Sequence, residues 1–166
     1  MGTLARVERL LDRLLQFIVI VLMVALTVVV VVAVIYRKAG ASLVWYDEVA
    51  SIMLAWLTYY GAALAALKRA HIGFDGILRA VPPGLRLCFF ILAEIFVFGF
   101  FAVLAWTGWR VLLVLAGDTL VSLPEVSVQI TQSVIPIGAV LFMVCEAVSL
   151  PAYWRRLRDG DFGEHT

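Results

Sequence analysis

The chain has 166 residues, of which 64% are hydrophobic and 15% are charged, and its net charge is only +1. A soluble domain of this length cannot bury so much apolar surface, so the composition excludes an ordinary soluble protein and predicts an integral membrane protein. The small net charge gives no reason to expect nucleic acid as a partner.

Four apolar runs are each close to or above the length at which a helix crosses a bilayer. The first run is rich in Val and Ile, but an isolated strand in lipid would leave its backbone groups unpaired, so a helix is predicted there too. We therefore predict an all-α fold that forms one membrane domain at residues 1–166. Its four transmembrane helices are expected at residues 14–36, 47–67, 87–115 and 128–150, followed by a cytoplasmic tail at 151–166.

The segment before the first span is amphipathic at helical spacing, and we expect it to extend that span along or just above the inner interface. A secretory signal peptide is the alternative interpretation, but the apolar run of roughly 23 residues is long for one. The apolar side chains predicted to share one face of this segment are Leu4, Val7, Leu10, Leu11 and Leu14.

Prolines and glycines indicate where the third span begins and where the fourth span is expected to kink. Pro82 and Pro83 mark the start of the third helix, which is long enough that it must tilt, project beyond the bilayer or bend. Before them, residues 72–81 carry spaced apolar side chains that predict a short interfacial helix between the second and third spans. Pro136 and Gly138 predict a kink in the last span.

Orientation follows from the basic residues, because cytoplasmic loops are enriched in Lys and Arg. Ten of the 13 Lys and Arg residues lie in the N-terminal segment, in the loop between the second and third spans, or in the C-terminal tail. The opposite side has only Arg37, Lys38 and Arg110. This distribution predicts that the N- and C-termini are both cytoplasmic.

Charged residues also bracket the second span. Asp47 and Glu48 stand at its outer end, and Lys68, Arg69 and His71 stand at its inner end. Acid at the start and base at the end complement the helix dipole, which accounts for both groups without a function. The alternative is that each group contacts a partner.

Glu94 and Glu146 lie inside apolar runs, near their predicted cytoplasmic ends. An ionisable group at such a depth generally faces protein or water and has a partner. One interpretation is structural pairing with Arg86, Lys68 or Arg69, or with a second subunit. The other interpretation is a proton relay.

Small residues and cysteines complete the pattern. Gly61 with Ala65, and Ala62 with Ala66, predict close helix approach on the second span. The two cysteines lie in apolar runs without a CxxC motif, so free thiols are predicted.

The chain has no Asn and only two His, and no catalytic, cofactor-binding or metal-binding residue is predicted, so we expect that it is not an enzyme.

Several motifs occur in a characteristic order. Taken together, they resemble the small membrane subunit of tripartite ATP-independent periplasmic (TRAP) transporters, the DctQ-like family. The resemblance extends over most of the chain, and the segments that carry it are Trp45-Tyr-Asp-Glu48, Trp56-Leu-Thr-Tyr-Tyr-Gly-Ala-Ala63, Lys68-Arg-Ala-His-Ile72, Asp75, Val81-Pro-Pro-Gly-Leu-Arg86, and Leu123-Pro-Glu125 through Val134-Ile-Pro-Ile-Gly138.

The resemblance implies a multi-pass protein of the bacterial inner membrane that supports uptake of an organic acid driven by an ion gradient. Its expected partners are the large elevator-type permease subunit, which it would scaffold, a periplasmic substrate-binding protein, which it would help to dock, and membrane lipids. No cofactor is implied. The residues expected at partner interfaces are Asp47, Glu48, Lys68, Arg69, His71, Glu94 and Glu146.

Two other functions remain open from the sequence. The first is a free-standing small transporter or exporter that acts as a homodimer, with Glu94 as its proton carrier. The second is a membrane adaptor for some other complex. The order of the motifs supports neither of these two functions.

Overall fold

The computed structural model describes residues 3–68 and 83–159, with side chains described over most of these ranges. Within them the chain is helical and contains no strand. The helices are α1 (Thr3–Lys38), α2 (Tyr46–Leu67), α3 (Pro83–Val114), α4 (Val128–Gln132) and α5 (Val134–Asp159).

Four segments are long and apolar enough to cross a membrane, which confirms the predicted all-α class with four spans. The fourth segment combines α4 with the first two thirds of α5. We call the end of the molecule with Thr3 and Asp159 the inner end, in keeping with the predicted orientation. The four segments are Arg6–Lys38, Tyr46–Leu67, Cys88–Val114 and Val128–Pro151.

The helices pack as a row in the order α1, α2, α5, α3. The middle pair, α2 and α5, both run from the outer end to the inner end and are therefore parallel. In the most apolar part of each span, 44% of the residues of the α4–α5 segment are buried, against 6% in α1 and α3. The last helix of the chain therefore lies inside the row, and α1 and α3 form its two edges.

Glycine allows α5 to approach both neighbours closely. A Cβ atom on Gly138 would lie 2.7 Å from the Cβ of Tyr59 on α2, and one on Gly108 of α3 would lie 3.0 Å from Cγ2 of Ile135. A methyl group at Gly138 would clash and one at Gly108 would be tighter than ordinary contacts, so both positions favour close helix approach. A Cβ on Gly61 would meet nothing within 4 Å, so no described helix packs closely there, whereas Ala66 of the other predicted pair is buried in the core and Ala62 packs against it.

The core of the row lies towards the inner end. Its fully or nearly fully buried members come from α1, α2 and α5, and Phe101 of α3 stacks on Phe142 with ring centroids 3.8 Å apart. Both cysteines are free thiols, as predicted. The buried core residues are Leu15, Ala63, Ala66, Leu67, Phe142 and Cys145.

Two local predictions are corrected by the structure. The kink predicted at Pro136 and Gly138 is instead a break at Ser133, which separates α4 from α5. Pro136 then falls in the first turn of α5, where its missing N–H is not needed. In α1, Leu11 packs against the core while Leu10 is 69% exposed, so the predicted single apolar face is split.

Some predictions lie outside the described residues. These are the short helix at residues 72–81, the partner-interface residues Arg69 and His71, and the end of the C-terminal tail.

Candidate partner-binding surfaces

The outer end of the molecule is organised around Glu48, in the first turn of α2. Its Oε1 accepts a hydrogen bond from the backbone N–H of Val121 at 3.1 Å, and its Oε2 accepts one from the backbone N–H of Ser122 at 2.9 Å. The Ser122 hydroxyl donates a third bond to the same carboxylate. Glu48 therefore ties the loop between α3 and α4 to the start of α2.

The tethered loop is also closed on itself. The backbone N–H of Leu120 donates to the carbonyl of Val126 at 3.0 Å, and the N–H of Val128 donates to the carbonyl of Asp118 at 3.0 Å. Gly117 has a φ of +96°, which a residue with a side chain rarely adopts, and this starts the turn. The loop is thus an ordered structure with a fixed position at the outer end.

The outer end presents apolar and acidic side chains together. Val121, at the tip of the tethered loop, is 93% exposed, and Val44, four residues before Glu48, is 84% exposed. No Lys or Arg occurs at residues 116–127. We call this the outer-loop surface, and its exposed members are Val44, Asp47, Asp118, Val121 and Glu125.

Two side chains further inside hold α4 against its neighbours. The indole Nε1 of Trp56 donates to the carbonyl of Thr131 at 2.8 Å, and the amide of Gln129 donates to the carbonyl of Leu112 at 2.8 Å. The Thr131 carbonyl lies just before the break at Ser133 and the Leu112 carbonyl lies in the last turn of α3, so both donors meet carbonyls at helix ends that need partners. Gln129 was not singled out in the sequence because a single Gln carries no spacing signal.

At the inner end, Lys68 pairs with a residue that the sequence did not single out. Its Nζ lies 3.5 Å from Oδ1 of Asp12, and the amide of Gln16 donates to the same oxygen at 2.8 Å. The side chains of Lys68 and Asp12 are 48% and 33% exposed, so this pair contributes little stability by itself. It joins α1 to the end of α2.

Glu146 lies in the interior of the row and is 5% exposed. One turn further in, the Ser149 hydroxyl donates to the carbonyls of Glu146 at 2.9 Å and of Ala66 at 3.4 Å. Both Glu146 and the half-buried Glu94 have partners within the chain. The interior position of Glu146 matches the prediction that a carboxyl group at this depth faces protein.

The register of α3 and α5 relates the two glutamates. Counting inward from the stacked rings of Phe101 and Phe142 places Glu94 level with Ser149, and Glu146 about one turn further out. Glu94 is two turns from Phe101 and so lies on the side of α3 that faces α5. The two predicted inner residues therefore belong to one seam between α3 and α5, whereas Asp47 and Glu48 lie at the other end.

A comparison with protein families identifies the chain. Residues 26–158 match the model of tripartite ATP-independent periplasmic transporters, DctQ component. The match spans the end of α1, all of α2, α3 and α4, and almost all of α5. The chain belongs to the DctQ family. No individual curated protein matches it closely enough to count as a relative.

Membership of the DctQ family confirms the resemblance found in the sequence. DctQ is a component of transporters rather than a family of enzymes, so the chain is a membrane subunit of a TRAP transporter. With four apolar helices it is a multi-pass membrane protein.

Proposed function

We propose that this DctQ chain is a scaffold in the bacterial inner membrane that holds the large permease subunit during uptake of an organic acid driven by an ion gradient. The observation that carries the proposal is the row of four helices, in which α1 and α3 leave long apolar faces exposed. Such faces suit a static support that packs beside a moving partner. Among the described spans only the fourth is broken, at Ser133, so they contain no pair of broken helices of the kind that forms a transport site.

The two edges of the row differ in chemistry. The exposed apolar side chains of α1 are mostly Val, Leu and Ile, with only two aromatic rings, whereas α3 exposes five aromatic rings beside its aliphatic side chains. Aromatic residues are enriched where proteins meet. We therefore assign the α3 edge to the large subunit and the α1 edge to lipid. The exposed rings of α3 are Phe89, Phe96, Phe100, Trp106 and Trp109.

The outer-loop surface is assigned to the periplasmic substrate-binding protein. It combines near-fully exposed valines with carboxylates, which suits a partner that offers an apolar patch ringed by basic groups. Glu48 supports this role indirectly, because its carboxylate fixes the position of the loop that carries Val121.

Reconstituted uptake tests the proposed function. The large subunit and the binding protein of the same transporter are purified, and uptake into proteoliposomes is measured with and without the DctQ chain. We expect uptake only when all three proteins are present, and none with the chain alone. Uptake by the chain alone, abolished by Glu94→Gln, would instead establish the free-standing proton-coupled transporter.

A further inference from the structure

The inner end of α1 separates its charges onto two sides. Asp12 turns towards α2, where it pairs with Lys68 at 3.5 Å and accepts a hydrogen bond from Gln16. Arg6 and Arg13 are exposed and lie seven residues apart, about 20° from each other around the helix. Asp12 is about 100° away from Arg13. Asp12 therefore makes its contacts within the molecule, and Arg6 and Arg13 form a basic strip on the exposed side of α1.

An exposed apolar strip adjoins this basic strip. Leu10, Leu14 and Phe17 are 69%, 52% and 68% exposed, and they follow one another at intervals of four and three residues along one side of α1. Leu10 lies between Arg6 and Arg13 in the chain and is rotated by less than 90° from either. Basic and apolar side chains therefore lie next to each other on α1, at the level where its apolar run begins.

This combination fits an amphiphile with an anionic head. A guanidinium binds a phosphate through two parallel hydrogen bonds, and its apolar stem lies along the membrane boundary. Arg13 directly precedes the apolar run, and Arg6 stands about 10 Å above it, which spans the headgroup layer. A free anion would use the arginines alone and leave the adjoining leucines uncovered.

We propose that the inner end of α1 binds an anionic phospholipid of the inner leaflet. Arg6 and Arg13 hold its phosphate, and Leu10 and Leu14 contact its acyl chains. The same α1 edge is assigned to lipid by its aliphatic surface, but the headgroup contact does not depend on assembly with any transporter subunit. Each arginine removed should lower the affinity roughly fivefold, as expected for a basic residue near an anionic surface.

Native mass spectrometry of the purified full chain in detergent tests the proposal. Dioleoyl phosphatidylglycerol is titrated against Arg6→Gln/Arg13→Gln and against Arg37→Gln/Lys38→Gln, which removes the same charge from the outer end of the same helix. We expect the first variant to bind the lipid about 20- to 30-fold more weakly and the second to bind like the unchanged chain. Equal loss in both variants, or no loss in either, would overturn the proposal.

Three further measurements exclude other sources of the effect. Dioleoyl phosphatidylcholine should bind much more weakly, and sn-glycerol 3-phosphate should not displace the bound lipid. Displacement by glycerol phosphate would show a free-anion site and contradict the proposal. Arg6→Lys/Arg13→Lys keeps the charge but loses the paired hydrogen bonds of a guanidinium, so it should bind the lipid more weakly than the unchanged chain and more tightly than the Gln variant. Binding as poor as that of the Gln variant, with unchanged helical circular dichroism, would contradict the proposed charge attraction to the lipid.

Discussion

At the scale of single residues, Glu48 shows how one side chain both begins a helix and holds a distant loop. It stands in the first turn of α2, where a carboxylate suits the helix dipole, and it also accepts three hydrogen bonds from residues more than 70 positions later. Its neighbour Asp47 is in the same turn but is exposed. The two adjacent acids therefore have different roles, and each provides a control for the other.

Glu48→Gln should free the loop, because an amide is a weaker acceptor for two backbone N–H groups and a hydroxyl than a carboxylate is. We expect faster hydrogen exchange at the amides of Val121 and Ser122 and weaker docking of the binding protein to proteoliposomes. Asp47→Asn removes the same charge from the same turn and should leave the exchange of both amides unchanged. Unchanged exchange in Glu48→Gln would refute the tethering role.

The loop that Glu48 binds could not be predicted from the sequence. Helix-dipole complementarity already accounts for an acid in the first turn, so nothing in the local pattern points to a loop far along the chain. The Lys68–Asp12 pair was missed for a related reason: Asp12 was one of several charges in an amphipathic segment. The interior position of Glu146 was easier to predict, because a carboxyl group deep in an apolar run generally faces protein or water.

At the scale of elements, the row is spaced by glycines on α3 and α5. The four spans themselves could be predicted, since apolar length and the need to pair backbone groups in lipid determine them. The order of the helices in the row could not, because each span is apolar all round and composition does not distinguish its neighbours. Gly138 was noted for a kink, but its role is the close contact with Tyr59.

Gly138→Ala should weaken the contact between α2 and α5, since the new methyl group would meet Cβ and two ring carbons of Tyr59 at 2.7–3.0 Å. We expect a loss of about 1–3 kcal/mol, typical of overpacking, and a lower midpoint of thermal unfolding for the purified chain. Gly61→Ala places the same methyl group in open space and should be neutral or slightly stabilising, because Ala favours the helix by up to about 1 kcal/mol. Equal midpoints for both variants would contradict this account.

At the scale of the whole molecule, the assignment of one edge to protein and the other to lipid is open to a matched test. Phe100 on α3 and Phe17 on α1 are 63% and 68% exposed, so they offer similar rings on opposite edges. Phe100→Ala should reduce the amount of large subunit that copurifies with the tagged chain, because it removes part of an interface. Phe17→Ala should not. The reverse result would move the large subunit to the α1 edge.

The position of α5 also has a consequence for biosynthesis. The helix that lies inside the row is made after α1, α2 and α3, and α3 has its main partner in α5. Until α5 has been made, α3 therefore lies in lipid with little protein against it, and only the α1–α2 hairpin can form. A nascent chain that stops before Val134 would lack α5, the helix that joins α2 to α3, and would present apolar, unpaired helices to the cell's membrane proteases.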